Sequence, residues 1–328
     1  MQAALERWES MCNGSGALRF ADILLRGTGQ VMFQNHPLTG LLFLVGIAWG
    51  SWAAGVPEVF FGGLLGLIVA TLTAIWLRVD PAGLASGLFG YNGVLVGLAL
   101  PTFMAASPLL WAYVALGAAV SVVAMLGTAN VVKTFQVSAL TAPFVLVTWI
   151  MLLASHALTG LDGSGLADGA KIVALDPAEA NPLDFGAFLA GVAKSISQVF
   201  LKGDVLAALL LLAGLAVSSW WAAAAALAGA VVAVTTAHLL GAESTLVSAG
   251  LLGFSPVLTA IALATVFNQP SGRVVVYALL GTVFTVVVQV AMNVAFVPLG
   301  IPTLTAPFVL VSWLFLLPRQ HFSGDAQP

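Results

Sequence analysis

Charge is scarce in this chain. Only 7% of its 328 residues are Asp, Glu, Lys or Arg, whereas 60% are apolar. A soluble domain carries about 25% charged residues, so the long apolar runs read as membrane spans. The net charge of -3, with no basic cluster, argues against a nucleic-acid partner. Cys12 is the only cysteine, which excludes an internal disulfide. His36, His156 and His238 show no metal-ligand spacing, and no cofactor is expected. No nucleophile stands beside a base, so an intramembrane enzyme has little support. Ionisable groups inside spans usually mark pumps and coupled carriers, and these spans have very few. The first residues mix Glu6, Arg7 and Glu9 without a basic start before an apolar run, which reads as no cleavable signal peptide and a loose or interfacial segment 1–15.

What the chain does have is itself, twice. Gln30-Val31-Met32-Phe33 returns as Gln198-Val199-Phe200-Leu201, 168 residues later. Gly90-Tyr91-Asn92 returns as Gly253-Phe254-Ser255 at an offset of 163. LTAPFVLVTW, Leu140 to Trp149, returns as LTAPFVLVSW, Leu304 to Trp313, at 164. A near-constant offset over three separated motifs means a duplicated unit. The reading is an all-α polytopic membrane protein: a first repeat over 1–157, an acidic loop over 158–182 and a second repeat over 183–320. Each half carries about five spans. Each also carries a broken or re-entrant element, begun by Asp80-Pro81 in one half and by Glu243 in the other. Both acids read as caps on these elements.

Five spans per half is an odd count, which inserts the second copy upside down, so inverted halves are expected; an even count would make the duplication parallel. Lys133, Lys202, Arg273 and Arg319 fall on the side of the N-terminus, with Arg78 the exception, so the positive-inside rule puts both termini in the cytoplasm. Trp8, Trp49, Trp52, Trp76, Trp111 and Trp149 read as interfacial anchors. Asn130 and Asn293, 163 apart, read as packing between helices.

The repeated polar groups are neutral: Gln30, Gln198, Thr141 and Thr305. Phe33, Tyr91, Phe254, Leu95 and Leu258 accompany them. Amide oxygens beside flat aromatic faces suit a small, flat, neutral solute rich in N–H donors. In QVMFQNHPLTG, LFGYNGVLVGLALP and the twin LTAPFVLV segments, the chain resembles the urea transporter family from about residue 17 to 318.

That resemblance implies a facilitative, channel-like protein. It implies a homotrimer in the membrane lipid, of bacterial inner-membrane type, with one slot-shaped pore per subunit and urea as its solute. It places Gln30 and Gln198 at the two mouths. Val31 and Val199 continue a ladder of backbone acceptors, Thr141 and Thr305 sit at the narrow middle, Tyr91 faces Leu258, and Phe254 faces Leu95. Phe33 and Leu201 stand opposite one another. The family usually carries Phe at the positions of Tyr91 and Leu201, and Ser255-Pro256 replaces the pair seen in the first copy. These departures keep another small amide, water or ammonia open as the solute. A coupled transporter would need a midplane charge.

Overall fold

The computed structural model describes residues 2–163, 166 and 182–318, and these are helical, with fifteen α-helices and no strand. The first half contains α1 (Gln2–Gly14), α2 (Gly16–Gln30), α3 (Pro37–Ala53), α4 (Pro57–Trp76), α5 (Pro81–Ala85), α6 (Tyr91–Phe103), α7 (Pro108–Lys133) and α8 (Ala142–Ser155). The second repeats the plan from α2 onward: α9 (Phe185–Ser197), α10 (Val205–Ser218), α11 (Trp220–Leu239), α12 (Ser244–Ser248), α13 (Phe254–Ile261), α14 (Gly272–Phe296) and α15 (Ala306–Leu316). Asp168, Lys171, Asp176 and Glu179 of the acidic loop, and Arg319, lie outside the described residues.

Among the described residues, α4, α7, α11 and the stretch Gly272–Leu299 are long and apolar enough to cross a membrane. The expected five spans per half therefore resolve into two full-length helices per half and several shorter ones. The shorter apolar helices have 10–17 residues, and α3, at 17, reaches the lower end of the roughly 17–25 that a crossing takes. Proline sets several of these starts. Pro37, Pro143 and Pro307 stand in the first turn of α3, α8 and α15, where a missing N–H costs nothing and further extension upstream is blocked. Phe185–Phe200 and Val205–Ser218 form a pair bent by 71°.

Glycines let the broken elements approach their neighbours closely. A Cβ on Gly97 of α6 would lie 2.1 Å from the Gly62 carbonyl of α4, so only glycine permits this backbone contact. Gly87 ends the break after α5 at φ +76°, and a Cβ there would meet the Gly27 nitrogen at 2.2 Å. Gly250 repeats this at φ +73° against the Ser195 nitrogen, at 2.4 Å. Both glycines supply a left-handed turn and seat it on the end of α2 or α9.

The halves meet through reciprocal bonds. Trp149 Nε1 donates to Pro302 O and Trp313 Nε1 donates to Ser138 O, each at 2.9 Å. Trp313 is the repeat of Trp149, and Pro302 the repeat of Ser138, all at the 164 offset. Thr141 Oγ1 and Thr305 Oγ1 lie 2.6 Å apart. A contact from i to j answered by one from the repeat of i to the repeat of j is the signature of a two-fold.

The structure revises several expectations. Within segment 1–15, Gln2–Gly14 forms α1, docked rather than loose. Trp8 Nε1 donates to Asp22 Oδ1 at 2.7 Å, and Arg26 bonds Asp22 at 2.7 Å and reaches Glu9 at 3.4 Å. Trp8 is thus a tether for α1, and Trp149 bridges the halves, so neither serves as a free interfacial anchor; Trp52 and Trp76, 52% and 79% exposed, remain placed for that role. Asp80 caps α5 by accepting from Gly83 N at 2.7 Å. Glu243 does not cap α12, because its carboxylate instead accepts the Thr245 hydroxyl.

Candidate functional site

The ends of α2 and α9 are the starting point. Phe33 N–H closes on Gln30 O at 3.0 Å and Gln34 N–H on Gly29 O at 3.0 Å. In the second half, Leu201 N–H closes on Gln198 O at 2.9 Å and Lys202 N–H on Ser197 O at 3.2 Å. These paired bonds form a Schellman ending, which needs a left-handed residue, usually Gly. Here Phe33 at φ 64° and Leu201 at φ 57° take that position. A side chain in this region costs about 1–2 kcal/mol. The strain gives each lip a bulky apolar residue where glycine would have given none.

The turn passes over two carbonyls. Met32 O is taken by Gln34 Nε2 at 2.7 Å. Val31 O and Val199 O receive no backbone N–H among the described residues, so both keep their acceptor capacity. The glutamine amides are fixed in register with them. Gln30 Nε2 donates to Ser86 O at 2.8 Å, and Gln198 Nε2 donates to Ala249 O at 3.2 Å. Each acceptor belongs to the break after the short helix, α5 or α12. Tying the NH₂ group to a carbonyl orients each Oε1 as the free acceptor.

Two cavities adjoin these ends. The first, about 750 Å³, is lined by Gln30, Val31, Phe33, Tyr91, Thr141 and others. The second, about 230 Å³, is lined by Gln198, Val199, Leu201, Phe254 and Thr305. Ten of the twelve residues singled out in the sequence therefore sort into two sets that are repeats of each other. Leu95 and Leu258, 1% and 0% exposed, line neither cavity and sit in the packed core of α6 and α13. Thr141 lines the first cavity and Thr305 the second, and their hydroxyls lie 2.6 Å apart where α8 and α15 begin.

Four aromatic wall residues were not singled out by the sequence reading. Phe308 and Phe267 line the first cavity although they belong to the second half; Phe144 and Phe103 line the second although they belong to the first. Phe33 packs edge-on against both Phe267 and Phe308, with centroids at 5.9 and 6.1 Å. The signal was present, because Phe144 and Phe308 sit inside the twin LTAPF motif. What the sequence did not carry was that each crosses to the opposite cavity.

One departure from the family pattern, Tyr91, finds an explanation. The Tyr91 hydroxyl donates to Leu140 O, on the left-handed residue before Thr141, so it holds the LTAPF turn. Asn92 Oδ1 accepts the Phe144 N–H at 3.2 Å at the start of α8. Ser255 is shorter, and its buried hydroxyl has no partner among the described residues.

The described residues thus form a helical protein with membrane-span helices and two repeat-related cavities, each lined by a glutamine and a threonine. Residues 21–320 match the family described as Urea transporter, and the chain belongs to that family. It is similar to urea transporter 1 of Ovis aries and of Capra hircus, each 27% identical over 305 residues, covering 92% of this chain and 77% of the relative. Urea transporter 1 of Mus musculus is 26% identical over the same span.

Proposed function

We propose that this chain carries urea down its gradient, from the Gln30 mouth across the Thr141–Thr305 pair to the Gln198 mouth, or the reverse. The observation that carries this reading is the pair of repeat-related cavities, one lined by Thr141 and the other by Thr305, whose hydroxyls lie 2.6 Å apart. Urea leaving water must replace hydrogen bonds on its N–H edges. Gln30 Oε1, Val31 O and Thr141 offer successive acceptors on one side, and Gln198 Oε1, Val199 O and Thr305 on the other. Carbonyl ladders perform the same exchange in ion filters. The aromatic rings pack the flat faces of the solute. A neutral solute needs no ion coupling, and the site performs no chemistry on it.

Cavities related by a two-fold along the membrane normal would open on the same side. A path through both requires the axis in the membrane plane, so the repeats 1–157 and 183–320 are inverted about the loop 158–182. Apolar side chains such as Ile150, Leu239 and Val276, 66%, 77% and 67% exposed, face lipid or a neighbouring copy. The working form is a trimer with one pore per subunit, in a bacterial-type inner membrane, with both termini cytoplasmic.

Stopped-flow light scattering on proteoliposomes tests the reading. Urea permeability is expected to rise well above that of empty vesicles, and to be unaffected by a protonophore or by a sodium gradient. Accumulation of urea that collapses with the protonophore would sink the downhill reading. Vesicles that gain water or ammonia permeability but no urea permeability would shift the solute.

Tyr91→Phe supplies a second, quieter check. It keeps the ring in the wall and removes the donor to Leu140 O. Stability is expected to fall by about 1–3 kcal/mol in thermal unfolding, with urea flux changed by less than about threefold. Loss of transport without loss of stability would mean that the hydroxyl reads the solute.

A further inference from the structure

The two cavities differ on one wall. At the 164 offset shared by Thr141 and Thr305 and by Tyr113 and Tyr277, the residues Gln289, Asn293 and Thr303 of the second half replace Met125, Ala129 and Ala139 of the first. All six line their respective cavities. This register also pairs Asn293 with Ala129 rather than with Asn130, so the two asparagines are not repeats of each other.

The three polar side chains close a ring. Gln289 Nε2 donates to Thr303 Oγ1 at 2.7 Å and to Asn293 Oδ1 at 3.1 Å, and Thr303 Oγ1 donates to Asn293 Oδ1 at 2.9 Å. Both amide hydrogens of Gln289 are thereby used, which fixes the orientation of the group. Its Oε1 is buried, on a residue 1% exposed, and has no donor among the described residues. An unpaired buried acceptor carries a desolvation cost that three apolar residues on the same wall avoid in the first cavity. Asn293 Nδ2 is the donor that the ring leaves over.

We infer that Gln289, Asn293 and Thr303 form a solute station in the second cavity, where Gln289 Oε1 accepts an N–H of urea or of another small neutral amide. The inference rests on the urea reading above and deepens it. It makes the two mouths unequal. The first, larger cavity carries apolar residues at these three positions, beside Asn130 and Lys133, and the second, about 230 Å³, holds the solute. Saturation of flux is then governed by the second mouth.

The test is the urea concentration dependence of flux in proteoliposomes. Gln289→Met, which installs the residue of the first half, is expected to raise the half-saturating urea concentration about fivefold or more, without lowering the limiting flux. Thr303→Ala, which removes one anchor of the Gln289 amide, is expected to shift it in the same direction by less, and it supplies the readout if Gln289→Met does not fold. A half-saturation point unmoved in the folded variants would overturn the station alone, leaving Gln289 Oε1 to a structural water. A wild-type protein with no urea flux would overturn the urea reading and the station with it.

Discussion

Gln30→Leu and Gln198→Leu are each expected to slow urea flux by about five- to a hundredfold at equal protein per vesicle. Leu retains the bulk and removes the acceptor at the mouth. A solute that has shed water there then crosses with a hydrogen bond unmade, which raises the barrier by about 1–3 kcal/mol. Both variants should lose flux, because each glutamine is held in the same way, Nε2 on Ser86 O in one half and on Ala249 O in the other. Proteoliposome flux, normalised to reconstituted protein, is the readout. Normal transport by both variants would mean that the path runs elsewhere.

The second large effect is expected at the middle, and there flux and stability should separate. Thr141 and Thr305 are each 3% exposed, and each hydroxyl is the partner of the other. Replacing one by Val leaves the remaining hydroxyl buried and unpaired, at a cost of about 1–3 kcal/mol in stability. Replacing both removes the pair together, and the Thr141→Val, Thr305→Val double variant should recover most of that stability, since loss of both partners is close to neutral. Flux should not recover with it. The double variant puts an apolar plug where the solute must trade bonds, so its flux should fall by about tenfold or more. Thermal unfolding and urea flux, measured on the two single variants and the double, decide this. A double variant that is both stable and fully conductive would remove the threonines from the path.

The readability of this molecule from its sequence divides along a physical line. The duplication was plain, because Gln-Val at the ends of α2 and α9 and LTAPF at the start of α8 and α15 repeat as letters. Helix ends and breaks followed from Asp80-Pro81, Pro37 and the glycines, whose effects are local. Contacts across the two-fold were not legible. Nothing in LTAPF says that Phe144 lines the cavity begun by Gln198, or that Trp149 bonds Pro302 in place of anchoring at an interface. The docking of α1 was also hidden, since Trp8 and Glu9 become informative only when Asp22 and Arg26 are seen to face them. The ring of Gln289, Asn293 and Thr303 did leave a sequence trace, as three concerted polar replacements in the second copy. Reading it requires the 164 register, and the offset of 163 that suits the Gly-Tyr-Asn motif pairs the wrong asparagines.

The central claim is that one continuous path runs from Gln30 over the threonine pair to Gln198, and a structure determined at saturating urea tests it most directly. The account predicts planar solute density in both cavities, with N–H edges within hydrogen-bond distance of Gln30 Oε1 in the first and of Gln198 Oε1 in the second, and faces against Phe308 and Phe144. Urea bound elsewhere, with only water in both cavities, would contradict it.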